Sequence, residues 1–150
     1  MLTKNFLLDM SQIQSKKQDD LIDHLKELIS QHSVSYILLE NLSGLENLLL
    51  KIEKKDTGLL FKFEIRIPFS NMQSDEHSYY SLVTCFEPPI PLLIEDLLKF
   101  INAISLLGKL FRVPLGNATA QILTSLAFYL IVSAEDLAKK SGWKILSNEN

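Results

Sequence analysis

The segment from Leu92 to Leu107 constrains the fold most strongly, because it is almost continuously apolar and is long enough for a helix. Three prolines at positions 88, 89 and 91 stiffen its approach, and Glu95 and Asp96 place carboxylates in the first turn, where the helix dipole favours them. A helix with more than one apolar face is either deeply buried or shared with a second subunit. The main stripe consists of Ile94, Leu97, Leu98, Ile101, Ile104 and Gly108.

Strands are predicted before this helix. In Leu59–Ile67 apolar residues alternate with charged ones at a period of two, which is typical of a strand with one buried face. Leu48–Lys54 is its predicted partner, and Gly58 suits the positive φ of a short hairpin loop. Val34–Leu39 and Tyr79–Phe86 are two further apolar strand candidates. These runs predict an antiparallel sheet.

An amphipathic helix is predicted to begin near Asp19, ahead of the strands. Acidic side chains at Asp19 and Asp20 favour a helix start. Apolar positions then recur on one helical face, and they are Leu21, Ile22, Leu25, Leu28 and Ile29.

After the central helix, the dipeptide Gly116-Asn117 predicts a hairpin turn. With that register Phe111 lies opposite Ile122, and the other facing positions are also apolar. The second strand is predicted to run to about Val132, although the apolar spacing from position 122 to 130 also suits a helix. Ser133 is predicted to cap a last short helix, after which Trp143 packs back onto the core.

These elements predict an α+β fold, in which an antiparallel sheet packs against helices in the order α-β-β-β(-β)-α-β-β-α. Residues 1–15 have no sustained period and predict a flexible N-terminal arm, while residues 16–150 predict a single domain. Lys4 is followed by too short an apolar run for a secretory signal. The densest apolar run, Ile122–Ala134, is shorter than the roughly 20 residues that span a bilayer, so no membrane span is expected.

Composition and charge restrict the classes of partner. The formal net charge is −3, and the only arginines are Arg66 and Arg112, so no basic stripe is available for nucleic acid. Apolar residues make up 47% of the chain, a high share for a small monomer. Part of this apolar surface is therefore expected to contact another protein. The single cysteine, Cys85, excludes an intrachain disulfide and fits a cytoplasmic location.

No set of side chains predicts catalysis, a metal or another cofactor. The three histidines, at positions 24, 32 and 77, lack metal-ligand spacing. Asp19, Asp20, Asp23 and Glu27 are interpreted as a solvated helix face rather than a cation site. Cys85 is interpreted as a small buried hydrophobe, with no base nearby in sequence. The chain is therefore predicted not to be an enzyme, with a pocket assembled from distant residues as the remaining alternative.

The run Leu97–Ile104, followed by Gly108–Phe111 and a hairpin, resembles the central helix of the type III secretion chaperone-like fold. It is also similar to small bacterial domains described as sensory-transduction regulators. Asn102 matches one asparagine common in that helix, whereas Ser105 stands where a second is often found. At the level of element order the resemblance covers roughly Asp19–Trp143. It implies a bacterial homodimer with a sheet backed by helices, and a non-enzymatic role in binding a secretion substrate or regulator.

The function expected from the sequence is therefore that of a protein-binding module, a dimeric chaperone or adaptor for another protein. The alternative is a small self-associating regulatory or structural domain. The apolar surplus of the central helix predicts self-association as a homodimer. Six residues are the candidates for the dimer or partner interface: Leu93, Leu97, Phe100, Ile104, Leu107 and Phe111.

Overall fold

The computed structural model describes residues 7–9, 18–42, 45–68, 79–109 and 120–146. In these ranges a six-stranded sheet and three helices follow one another along the chain. They are β1 (Leu7–Asp9), α1 (Gln18–Gln31), β2 (Val34–Leu42), β3 (Leu45–Lys55), β4 (Gly58–Pro68), β5 (Tyr79–Glu87), α2 (Ile94–Gly108), α3 (Ala120–Lys140) and β6 (Lys144–Leu146). The strands lie side by side in chain order. β2 to β6 pair antiparallel and β1 pairs parallel with β2, so the predicted α+β class is confirmed.

The β3–β4 hairpin follows the alternation in the sequence. Side chains at every second position of β4, from Phe61 to Ile67, are at most 1% exposed, whereas the charged residues between them lie on the opposite face. Lys55 pairs with Gly58 across the turn, and Gly58 has a φ of +151°. The predicted glycine turn is therefore confirmed.

The three helices cover one face of the sheet. The hydroxyl of Ser105 on α2 donates a hydrogen bond to the carbonyl oxygen of Leu39 on β2, over 3.5 Å. On the same face of the sheet, nearer its β6 edge, the hydroxyl of Thr84 on β5 donates to the Glu135 carboxylate on α3, over 2.8 Å. Each of these two bonds joins a helix to the sheet beside the apolar core.

Five aromatic rings fill the core between α2 and the sheet. Trp143 lies 5.2 Å from both Phe61 and Phe100, measured between ring centroids, and Phe100 also contacts Phe63 and Phe86. Edge-to-face and tilted pairs at these distances are favourable beyond their burial. Trp143 is 3% exposed, so its predicted return to the core is confirmed.

The second half of the chain differs from the prediction. Ala120–Lys140 is one helix of 21 residues, so the strand expected to reach Val132 and the separate helix after Ser133 are both wrong. Residues 110–119, which contain the predicted Gly116-Asn117 turn, lie outside the described residues. Small and apolar side chains recur at helical spacing and are at most 1% exposed, at Ala127, Leu130, Ala134 and Ala138. This inner stripe continues at helical spacing from Ala127 to Ala138 and outweighs the period-two match of a few positions.

The N-terminal arm was predicted over residues 1–15, and the structure describes only 7–9 of it. These three residues pair in parallel with Tyr36, Ile37 and Leu38 of β2. β1 is thus an edge strand that no periodic pattern in the sequence predicted. The flexibility of the arm stays a prediction.

Candidate protein-binding surface

The most conspicuous surface feature of the described residues is an apolar patch on α3. Four of its large side chains are more than half exposed: Ile122 (51%), Phe128 (55%), Tyr129 (52%) and Val132 (56%). Ser125 is exposed among them. We call these five residues the α3 face.

The α3 face points outward because the opposite side of the helix packs in the core. Ala127, Ala134 and Ala138 are fully buried, and their small side chains allow the helix backbone to approach the sheet closely. The α3 face lies across the helix from this inner stripe. Beyond Val132 the outward positions become charged, beginning with Asp136. The apolar part of the outer surface is therefore confined to the first two-thirds of the helix.

The α3 face is comparable in area to the largest apolar patch that a monomeric protein usually carries. A large aromatic side chain presents about 150–250 Å², so each half-exposed ring leaves roughly 100 Å² in water. Phe128 and Tyr129 are the two rings, and the half-exposed Ile122 and Val132 each add somewhat less, so the four side chains leave roughly 300–400 Å² in water. This is within the range of the largest apolar patches on monomers, which are often functional. Four large apolar side chains within three turns are not the isolated exposures that any protein surface carries.

The structure separates the six residues predicted as an interface. Leu97, Phe100 and Ile104 are at most 2% exposed, and they pack inside the chain's own core. Leu107 packs against the same core and is half-buried. Leu93 is 58% exposed, and Phe111 lies outside the described residues. Of the two explanations for the apolar surplus of α2, deep burial accounts for its inner residues, because α2 contacts α1, α3 and β2.

A second, smaller apolar projection lies on the connector between β5 and α2. Ile90 is 71% exposed and Leu93 is 58% exposed. Ile90 borders a cleft of about 290 Å³ that also contains Lys54 and Lys55. The Lys54 ammonium donates to the carbonyl oxygen of Ser30 over 2.9 Å, and Lys55 pairs with Glu53 at 3.3 Å. Both cations at this cleft therefore already have protein partners.

The residues considered for chemistry do not converge in the part of the chain that the structure describes. His24 is exposed on α1, whereas His32 follows the end of that helix, and His77 lies outside the described residues. The acidic residues of α1 at 19, 20, 23 and 27 are all exposed, as a solvated face requires. Among the described residues no three His, Cys, Asp or Glu side chains are grouped in a way that could hold a metal ion.

Cys85 lies on the sheet face opposite the helices, in register with Lys62 of β4. Burial raises the pKa of its thiol above the ordinary value, although the positive charges of Lys62 and Lys51 act in the opposite direction. A raised pKa leaves little thiolate at neutral pH, which disfavours a nucleophilic role.

The sequence contained a signal for the α3 face. Ile122 and Tyr129 fit a helical spacing as well as a strand, and the charged residues at 136, 139 and 140 mark where its outer side becomes polar. Assigning this segment to a strand directed Ile122 into the core and concealed the patch.

None of the helices within the described ranges combines the length and the apolar character needed to cross a membrane. Comparisons of this chain with protein-family models, with curated proteins and with solved structures find no match.

Proposed function

We propose that this protein is a non-enzymatic protein-binding module and that the α3 face is its binding surface. The observation that carries the proposal is the exposure of Phe128, Tyr129 and Val132 side by side on one helix. Aromatic side chains are enriched in protein interfaces, and tyrosine is among the residues that supply most of the binding energy there. The charged residues after Val132 would form the polar rim that such interfaces have at their edge.

The role that best suits such a module is that of a cytoplasmic chaperone or adaptor that holds a partner, such as a secretion substrate. The resemblance of α2 to the type III secretion chaperone-like fold supports this role, and so does a sheet with helices on one face. The resemblance also implied a hairpin after α2, but the segment predicted as a strand to Val132 is a helix. The resemblance therefore rests on the residues of α2 alone. It therefore supports the class of function rather than a particular partner.

The second candidate is a small self-associating domain with a regulatory or structural role. The regular spacing of the exposed residues on α3 favours this candidate, because a single helix can pair with a copy of itself through such a stripe. Both candidates assign the α3 face to contacts between proteins.

Photo-crosslinking in the native cell tests the proposal. A photoreactive phenylalanine analogue at Phe128 keeps an aromatic ring in the face, and the same analogue at Lys139 serves as the control on the charged end of the helix. We expect a crosslinked protein band from position 128 and little from position 139. Mass spectrometry of the band distinguishes a second copy of the chain from another protein. Equal crosslinking at both positions, or none at either, would contradict the proposed binding surface.

A further inference from the structure

The residues on the outer side of α3 follow a spacing that matches helix pairing. Ile122, Ser125, Tyr129 and Val132 are separated by three, four and three residues, and Asp136 follows after four more. Alternating steps of three and four keep side chains on one seam when two helices coil around each other. All five positions are exposed in the structure. We call the first four residues the α3 seam.

We infer that the α3 seam binds the α3 seam of a second copy of this chain, with the two helices antiparallel about a two-fold axis. The inference rests on the proposed function, since it names the first occupant of the same surface. A two-fold contact uses the same patch on both copies, so the patch must complement itself. The seam meets this requirement best when the two helices run antiparallel.

Charge decides the direction of the helices. In a parallel pair each seam residue faces its own copy, so Asp136 would lie beside Asp136 of the second copy. Lys139, which continues the same spacing beyond Asp136, would likewise meet its own copy. Like charges held together in a partly desolvated contact oppose association. An antiparallel pair separates both sets of like charges.

Side-chain size decides the register of the antiparallel pair. When the axis crosses the outer side of α3 at the height of position 127, Ile122 faces Val132 of the second copy, and Ser125 faces Tyr129 of the second copy. A large ring then fills the space above a small hydroxymethyl group in two symmetrical layers, as knobs fill holes in paired helices. A shift by one heptad would instead place Ser125 opposite Asp136.

The seam alone is smaller than a standard protein interface, which buries about 800 Å² on each partner. Phe128 lies beside the seam and widens the contact. We therefore expect a dimer that forms at micromolar concentrations rather than a permanent one.

The exposed Ile90 and Leu93 lie near the start of α2, which borders the end of α3 at Leu137 and Lys140. They are outside the seam and stay available for another protein.

Cysteine crosslinking tests the arrangement in the purified full chain. In a Cys85→Ser background, Ser125→Cys and Asp136→Cys each introduce one thiol on the same outward side of α3. In the inferred register the two copies of position 125 are offset by about 6 Å along the helices, whereas the two copies of position 136 are about 27 Å apart. A short bismaleimide is therefore expected to link Ser125→Cys into covalent dimers and to leave Asp136→Cys uncrosslinked. Efficient linking of Asp136→Cys, or none of Ser125→Cys, would overturn the inference.

Light scattering provides the second measurement. At roughly 50 μM the chain is expected to have the mass of a dimer, and Tyr129→Asp is expected to have the mass of a monomer, with Asp136→Asn remaining dimeric. Circular dichroism of Tyr129→Asp confirms that the variant is folded before its mass is interpreted. A monomeric mass for the unaltered chain would overturn the inference. If the chain were monomeric but position 128 still crosslinked to a different protein in cells, the proposed function would stand without the dimer. If position 128 gave no crosslink at all, both the proposed function and the dimer would be wrong.

Discussion

Replacing Phe100 with alanine is expected to lower the free energy of unfolding by about 3–5 kcal/mol, the usual range for a fully buried phenylalanine. The ring is 2% exposed and contacts Phe63, Phe86 and Trp143. Its removal leaves a cavity where aromatic side chains from β4, β5 and the turn between α3 and β6 meet. A loss of this size is a large part of the roughly 5–15 kcal/mol that stabilises a typical domain. Urea titration followed by circular dichroism measures the change.

Leu93→Ala is the matched control for this prediction, because both residues were predicted from the sequence to lie in one interface. Leu93 is 58% exposed, so its truncation is expected to change the free energy of unfolding by less than about 0.5 kcal/mol. If Phe100→Ala were as mild as Leu93→Ala, the ring would not be in the core of the chain, and the burial of α2 would have to be reconsidered.

An aspartate at Ala134 is expected to destabilise the protein by about 4 kcal/mol or more, because it places an unpaired carboxylate in the interior. Ala134 is 0% exposed on the inner side of α3, and it belongs to the residues that pack against the sheet. Aspartate is both larger than alanine and charged, so it demands that the helix move away or that the carboxylate be protonated. Chemical denaturation at low protein concentration, where self-association is minimal, measures the loss.

Val132→Asp, two residues away, is the control for this change. Val132 is 56% exposed, and valine and aspartate have similar helix propensities, so the folded monomer is expected to be destabilised by about 0.5 kcal/mol or less. The same variant is expected to weaken the protein contact of the α3 face. Comparable destabilisation by the two aspartates would mean that the helix is rotated about its axis, or that the segment is not a helix.

The sequence was sufficient for the elements whose buried positions repeat without ambiguity. In β4 every second residue from Phe61 to Ile67 is apolar and the residues between are charged, so only a strand with one buried face satisfies the pattern. The turn at Gly58 followed from a backbone conformation that glycine adopts readily. The long apolar run Leu92–Leu107 likewise predicted a helix, and α2 begins two residues later and ends one residue later, at Ile94–Gly108.

Ala120–Lys140 was harder to predict because its two sides are both rich in apolar residues. When the outer side of a helix carries Phe128, Tyr129 and Val132, the contrast between the inner and outer sides that reveals helical periodicity is weak. A short window around Ile122 then fits a strand equally well. The residues that obscured the helix are the same ones that form the candidate binding surface.

The candidate interface was assigned to α2 for a related reason. An apolar surplus indicates that something must cover it, but a single sequence does not state whether the cover is the chain itself or another protein. The structure covers Leu97 and Ile104 with the chain's own elements and leaves the outer side of α3 exposed. Tertiary packing, which depends on contacts between distant segments, decides between these two helices.

The accessibility of the α3 face in the native cell shows whether another protein covers it. In a Cys85→Ser background, Phe128→Cys places a thiol beside the α3 seam without removing a seam residue, and Lys139→Cys places one on the charged end of the same helix. Both positions are exposed in the structure. A membrane-permeant maleimide is expected to label position 128 at least about tenfold more slowly in cells than in dilute purified protein, with little change at position 139. Equally fast labelling of the two positions in cells would show that no protein covers the α3 face, and the proposed binding surface would then be wrong.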